Sequence, residues 1–277
     1  MPLALMYITN NPEVALIAER NDVDRVWVDL ETLGKDERQK NMNTVKSCHT
    51  VDDVRSIAAV IKKSELMVRI NPINENTFEE IENVIAAGAD RVMLPMWKSL
   101  DEVHRFLTIV NGRVGTTLLL ETKEAVEVVD DVLCEPLLDE IHIGLNDLHL
   151  SYGLTFMFEL LADGTVETLC DKFKARGIKY GFGGIARIGE GDLPAERIIT
   201  EHYRLGSSRA ILSRSFCDTS KVCEIESIRK VFESNMKQLR AFEAEVVGFD
   251  LCDYSRNADI VKDSVKRIVE KKKGHSL

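Results

Sequence analysis

The sequence has no Cys-x-x-Cys pair, no apolar run approaching the ~20 residues of a membrane span, and no excess of positive charge. Each absence removes a class of protein. The six cysteines, at positions 48, 134, 170, 217, 223 and 252, are scattered, which argues against a zinc framework. A reducing cytoplasm with free thiols, most of them filling the core, is the simplest setting. The opening run MPLALMYITNNPEV has no basic segment ahead of its apolar residues and is only strand-length, so it reads as a strand and not as a secretory signal. A formal charge of −10 makes nucleic acid an unexpected partner, and without a spanning run a membrane is equally unexpected. A glycine-rich phosphate turn near the N-terminus is missing too, which weighs against an open dinucleotide-binding sheet.

What is present is alternation. Short apolar runs at residues 3–9, 25–31, 66–71, 91–95, 116–121, a run ending at 145, 179–182 and 208–212 read as strands. Amphipathic segments separate them, at 11–19, 51–63, 77–87, 100–110, 123–133, 165–175 and 195–205. Thr50 is placed to cap the second and Gly88 to end the third. Strands separated by helices pair in parallel, and eight such units predict a closed (β/α)8 TIM barrel, an α/β fold, over residues 1–218. The remainder, 219–277, is too long for one closing helix. It reads as a helix over 225–244, an irregular link over 246–257 and a helix over 258–271, ending in a solvated Lys271-Lys272-Lys273 run. Such an arm suits packing on another subunit, so a homo-oligomer is expected.

Barrels of this kind place their active sites at the C-terminal ends of the strands. Standing there are Asp29 and Glu31, Arg69 and Asn71, Met96 and Lys98, Glu121, Asn146 and Asp147, Gly183, Gly184 and Arg187, and Ser213 and Arg214. Glu121 and Asp147 end adjacent strands, and two carboxylates side by side suit a divalent cation with open positions, Mg²⁺ or Mn²⁺. That ion could chelate a pyruvate-like 2-oxo acid while Arg69 stabilises an enolate as it forms. Backbone N–H groups of Gly144, Leu145 and Asn146 could hold the substrate carboxylate. Arg187, beside the paired glycines, could meet an anionic tail. Taken singly, Glu121 and Asp147 also read as ordinary acids near helix N-termini, and the Gly183-Gly184 turn leaves a phosphosugar barrel open as an alternative.

Several stretches together carry a family resemblance: Val28-Asp29-Leu30-Glu31, Val68-Arg69-Ile70-Asn71, Gly88-Ala89-Asp90 with Val92-Met93-Leu94-Pro95, Leu120-Glu121-Thr122, and Ile143-Gly144-Leu145-Asn146-Asp147-Leu148 closed by Gly153. In order and rough spacing the chain resembles the HpcH/HpaI aldolase and citrate lyase β-subunit family of the phosphoenolpyruvate/pyruvate superfamily. The resemblance implies a metal-dependent carbon–carbon lyase, a class II type of aldolase, working through a pyruvate enolate with an aldehyde or thioester as the second reactant. It implies Glu121 and Asp147 as metal ligands, Arg69 as the enolate-stabilising arginine, Asp29 and Glu31 as supporting acids, and C-terminal helices swapped between subunits. One position departs from it. The aldolase branch has histidine after the Asp-x-Glu and the citrate lyase branch aspartate, whereas here it is Thr32. His49, in the same loop, is the candidate replacement for proton transfer; a metal-bound water could also serve. Lys35 and Arg38 are further loop cations that could meet an anionic substrate. A barrel that has lost its base and only binds is the remaining alternative.

Overall fold

The computed structural model describes residues 1–34, 49–219, 221–222 and 224–274. Its strands are β1 (Ala4–Ile8), β2 (Arg25–Asp29), β3 (Glu65–Arg69), β4 (Arg91–Leu94), β5 (Gly115–Leu120), β6 (Glu140–Ile143), β7 (Lys179–Ile185) and β8 (Arg209–Leu212). They form a closed barrel in chain order, and the resolved registers are parallel, with Asp29 opposite Arg69 and Arg69 opposite Met93. The helices are α1 (Pro12–Arg20), α2 (Val51–Val60), α3 (Thr77–Ala86), α4 (Leu100–Val110), α5 (Lys123–Val132), α6 (Leu145–Ser151), α7 (Glu159–Ala162), α8 (Thr165–Ala175), α9 (Ala195–Leu205), α10 (Ile225–Val246) and α11 (Leu251–Gly274). The (β/α)8 expectation therefore holds, and a helical C-terminal segment follows it.

Local chemistry explains the helix starts. Asn11 accepts from the Glu13 and Val14 N–H groups at the head of α1. Thr50 and Asp53 cap α2 reciprocally, satisfying two otherwise orphaned donors. Asp250 does the same for α11 by accepting from Cys252 and Asp253. That cap starts the last helix at Leu251, so the expected irregular link over 246–257 shrinks to the residues between Val246 and Leu251. Two further boundaries differ from expectation. The sixth strand stops at Ile143, and Asn146 and Asp147 lie in the first turn of α6 instead of a loop. Gly183 and Gly184 lie inside β7, at a register irregularity between Gly181 and Gly184, and not after it.

The chain divides into two compact units. One comprises Met6–Leu120 and Glu124–Glu140. Its apolar core includes Val26, Val28, Met67, Val68, Val92 and Leu118. A buried ionic group is set into it: Arg25 donates from Nη1 to Glu140 at 2.6 Å and from Nε to Glu65 at 2.6 Å, while Thr117 donates its hydroxyl to Glu140 at 2.7 Å. Burial alone would depress the Arg25 guanidinium, but the charges of Glu140 and Glu65 hold it above its ordinary value.

The other unit comprises Met1–Leu5, Glu121–Lys123 and Ile141–Leu277. Here the C-terminal helices pack on their own chain. Glu243 of α10 accepts from the Leu3 N–H at 2.8 Å and from the Tyr203 hydroxyl at 2.9 Å. Asn257 of α11 bonds both Arg197 and Glu201 on α9. The His202 ring stacks on Phe182, centroids 3.9 Å apart and planes 3° from parallel.

Candidate active site

The sequence places its candidate groups at strand ends, and the strands put them there by alternation. On β2, Arg25, Trp27 and Asp29 share one face, because side chains two apart point the same way. Arg69 is the last residue of β3, directly opposite Asp29. It donates from Nε and Nη2 to the two oxygens of Asp29, each at 2.8 Å. Its Nη1 lies 3.3 Å from Glu31 Oε2, and its guanidinium carbon lies 5.0 Å from the Trp27 ring centroid. Both acids are 2% exposed. A planar fork held from two sides and backed by an indole has little freedom to turn, which is the preorganisation a charge-stabilising donor needs.

His49 joins this group through Nδ1, which accepts the Asp29 backbone N–H at 3.0 Å. A neutral imidazole accepting at one nitrogen carries its proton on the other. His49 is therefore fixed in the Nε2–H tautomer and presents a donor. Asn71, two residues past β3, accepts from the Thr32 and Leu33 N–H groups at 2.9 and 3.0 Å and from the Thr32 hydroxyl at 3.3 Å. Its amide nitrogen reaches Glu80 at 3.3 Å. Thr32 thus belongs to a clamp that ties the end of β2 to the end of β3. Lys35 and Arg38 lie outside the described residues. Met96, after β4, adopts a φ of 53° that side chains other than glycine rarely take, and Lys98 beyond it is exposed.

Glu121 immediately follows β5 and is 2% exposed. Asp147, in the first turn of α6, is half-buried, Asn146 is exposed, and Gly144 is the N-cap. The segments of the two acids are tied by a hydrogen bond from the Lys123 N–H to Ser151 Oγ at 2.8 Å. β6 is tied to β7 in turn: His142 Nε2 meets the Gly183 carbonyl at 3.1 Å. A side chain at Gly183, whose φ is 52°, would come within 2.8 Å of Leu145 Cδ1, so glycine there lets α6 sit close against β7. Arg187, after β7, is half-exposed and pairs with Glu190. Ser213 and Arg214 follow β8.

Glu121 and Asp147 are hard oxygen donors, one buried and one half-buried, and such a pair fits Mg²⁺ or Mn²⁺, which keep several waters when few protein ligands are offered. No group of three or more His, Cys, Asp or Glu side chains suited to a metal occurs among the described residues, and a two-carboxylate set is smaller than that. Sequence reasoning singled out both acids, Arg69, Asp29 and Glu31. It missed Trp27, whose position on the Asp29 face of β2 was the available signal, and it missed His142, which on an apolar strand reads as core.

The family model for HpcH/HpaI aldolase/citrate lyase matches residues 3–159. The chain belongs to that family. Solved structures show the same fold at low identity. An HpcH/HpaI aldolase from Desulfitobacterium hafniense DCB-2 is 15% identical with a TM-score of 0.63, over 83% of this chain and 93% of that one. A citrate lyase beta subunit from M. tuberculosis, complexed with oxaloacetate and magnesium, is 16% identical with a TM-score of 0.56, over 83% and 97%. Macrophomate synthase is 14% identical with a TM-score of 0.57, over 84% and 86%. No curated protein matches the sequence significantly.

Proposed function

We propose that the protein is a divalent-metal-dependent carbon–carbon lyase acting on a pyruvate-like 2-oxo acid through its enolate. The observation that carries this reading is the Arg69 guanidinium, clamped by Asp29 and Glu31 at the end of β3 in a chain of this family. The citrate lyase relative solved with oxaloacetate and magnesium supports the same substrate class and metal. Glu121 and Asp147 would hold Mg²⁺ or Mn²⁺, which when bound supplies Lewis-acid polarisation of the 2-oxo acid.

The chain's own groups then divide the work. Arg69 donates to the enolate oxygen as charge develops there, and its acids keep it from turning towards water. Backbone N–H groups at the head of α6, from Gly144 to Asn146, receive the substrate carboxylate, as unsatisfied donors of a helix start do. His49, neutral with its proton on Nε2, donates a hydrogen bond to the departing or accepting oxygen. Held as it is by the Asp29 N–H at Nδ1, it is too weak an acid to surrender that proton, which corrects the expectation that it replaces the proton-transfer residue. No helix among the described residues is long and apolar enough to cross a membrane.

The test needs no knowledge of the second reactant. Exchange of pyruvate methyl protons with solvent is followed by NMR with Mg²⁺ or Mn²⁺ and again with chelator. Metal-dependent exchange is the expected result. Absence of exchange with the metal demonstrably bound would refute the reading.

A further inference from the structure

A cleft of about 550 Å³ opens where β7 and β8 end and α10 begins. Its charged lining is Arg187, Arg214 and Lys221 against Glu190 and Asp218. The Ser213 and Ser215 hydroxyls face each other at 2.8 Å beside it, and the buried Phe216 ring contributes an apolar wall.

Two of the cations are paired with acids of the lining. Arg187 pairs with Glu190, the two side chains being 47% and 42% exposed. Lys221 reaches Asp218 at 3.2 Å with 81% of its own side chain exposed. Ion pairs this wet on the cation's side contribute little, so an anionic ligand can compete for Arg187 and Lys221. Guanidinium groups recognise oxyanions through paired hydrogen bonds, and serine hydroxyls add donors at no charge.

The cleft has room for a ligand larger than pyruvate. About 550 Å³ lies within the ~300–1,000 Å³ of pockets that enclose a ligand many times its size. We infer that this cleft is an anion subsite, taking the distal carboxylate or phosphate of the second reactant. Its place in the reaction rests on the lyase reading above; its ability to bind an oxyanion does not.

Calorimetric titration of the whole protein with succinate and with inorganic phosphate, without metal or pyruvate, tests the site directly. Saturable binding is expected with at least one of the two, weakened about tenfold in Arg214→Glu and in Lys221→Glu, as loss of a charge-assisted hydrogen bond implies. Which anion binds separates a carboxylate end from a phosphate end. No saturation with either anion, or equal binding in wild type and both variants, would overturn the inference. In the reaction itself, kcat/KM for succinic semialdehyde or glyceraldehyde 3-phosphate, relative to propanal, should fall about tenfold in Arg214→Glu. A protein that binds the anion but exchanges no pyruvate protons would lose the lyase reading and keep the subsite. Exchange without anion binding would do the reverse.

Discussion

The Arg69 guanidinium makes two 2.8 Å hydrogen bonds to the Asp29 carboxylate, one from Nε and one from Nη2. The fork is matched edge to edge, so the arginine's direction is set by a buried acid and not by whatever it binds. Lysine keeps the charge but offers a point donor that cannot reproduce this match. Arg69→Lys should therefore lower metal-dependent pyruvate exchange by about 10²–10³-fold, the range for removal of a preorganised donor to a developing oxyanion. A KM change alone, with kcat intact, would show that Arg69 serves binding and not enolate stabilisation.

Removal of either carboxylate proposed for the metal should separate chemistry from fold. Glu121→Ala and Asp147→Ala are each expected to abolish metal-dependent exchange, with Mg²⁺ or Mn²⁺ affinity lost by calorimetry and circular dichroism unchanged. Full exchange in both variants would require a different metal site.

Most of the fold was legible in the sequence because it rests on local pattern. Helical periodicity located Leu100–Val110, Thr165–Ala175 and Ala195–Leu205 at their observed bounds. What escaped depends on tertiary context. Asp250 is an unremarkable acid until its carboxylate caps Cys252 and Asp253, and that cap starts the last helix early. β7 continues through Gly183 and Gly184 because His142 and Leu145 pack on it, although paired glycines read locally as a turn. At the site, Asp29, Glu31 and Arg69 were legible from their strand-end positions. The ring nitrogen His49 turns to Asp29, and the Asn71 clamp on Thr32, were not, because both join segments far apart in the chain.

The buried Arg25–Glu140 pair supports stability at a place the proposed chemistry does not use. Glu140 is 1% exposed and accepts from both Arg25 and Thr117. Glu140→Ala removes the buried partner of the Arg25 guanidinium and leaves it paired with the part-exposed Glu65, so the cost should lie below the about 3–5 kcal/mol of a fully broken buried pair. The denaturant midpoint should fall accordingly. Because Arg25 and Glu140 touch each other directly, Arg25→Met combined with Glu140→Leu should cost less than the two single changes added together.

His202 gives stability a pH dependence of definite sign. Burial, and then the charge of nearby His142, lower its pKa to about 3. The unfolded chain takes up that proton at about 6.5. Between these values the unfolded state binds more protons, so stability is fully present above about pH 6.5 and declines as pH falls towards 3. The slope from this one group is about 1.4 kcal/mol per pH unit. His202→Gln should flatten the plot of urea midpoint against pH from 4 to 7, and an unchanged slope would place the acid sensitivity elsewhere.

The C-terminal helices provide the last test, because packing on their own chain and service to another subunit predict different outcomes. Glu243 is 2% exposed and gathers the Leu3 N–H, the Tyr203 hydroxyl and Arg240. The carboxyl also acts on its neighbour: burial first, and then the Glu243 charge, raise the Tyr203 phenol well above its ordinary range. Glu243→Ala leaves the Leu3 amide buried without its acceptor, an error that costs about 1–3 kcal/mol. We expect a lower melting temperature with sedimentation unchanged, since these contacts lie within one chain. Truncation after Asp218 removes this anchor and also Asn257, which holds Arg197 and Glu201. If the helices also join subunits, as the family resemblance led us to expect, the truncated protein should sediment as a smaller species in addition to melting earlier. A truncated protein that melts earlier but keeps the sedimentation coefficient expected for the parent assembly would confine the role of α10 and α11 to their own chain.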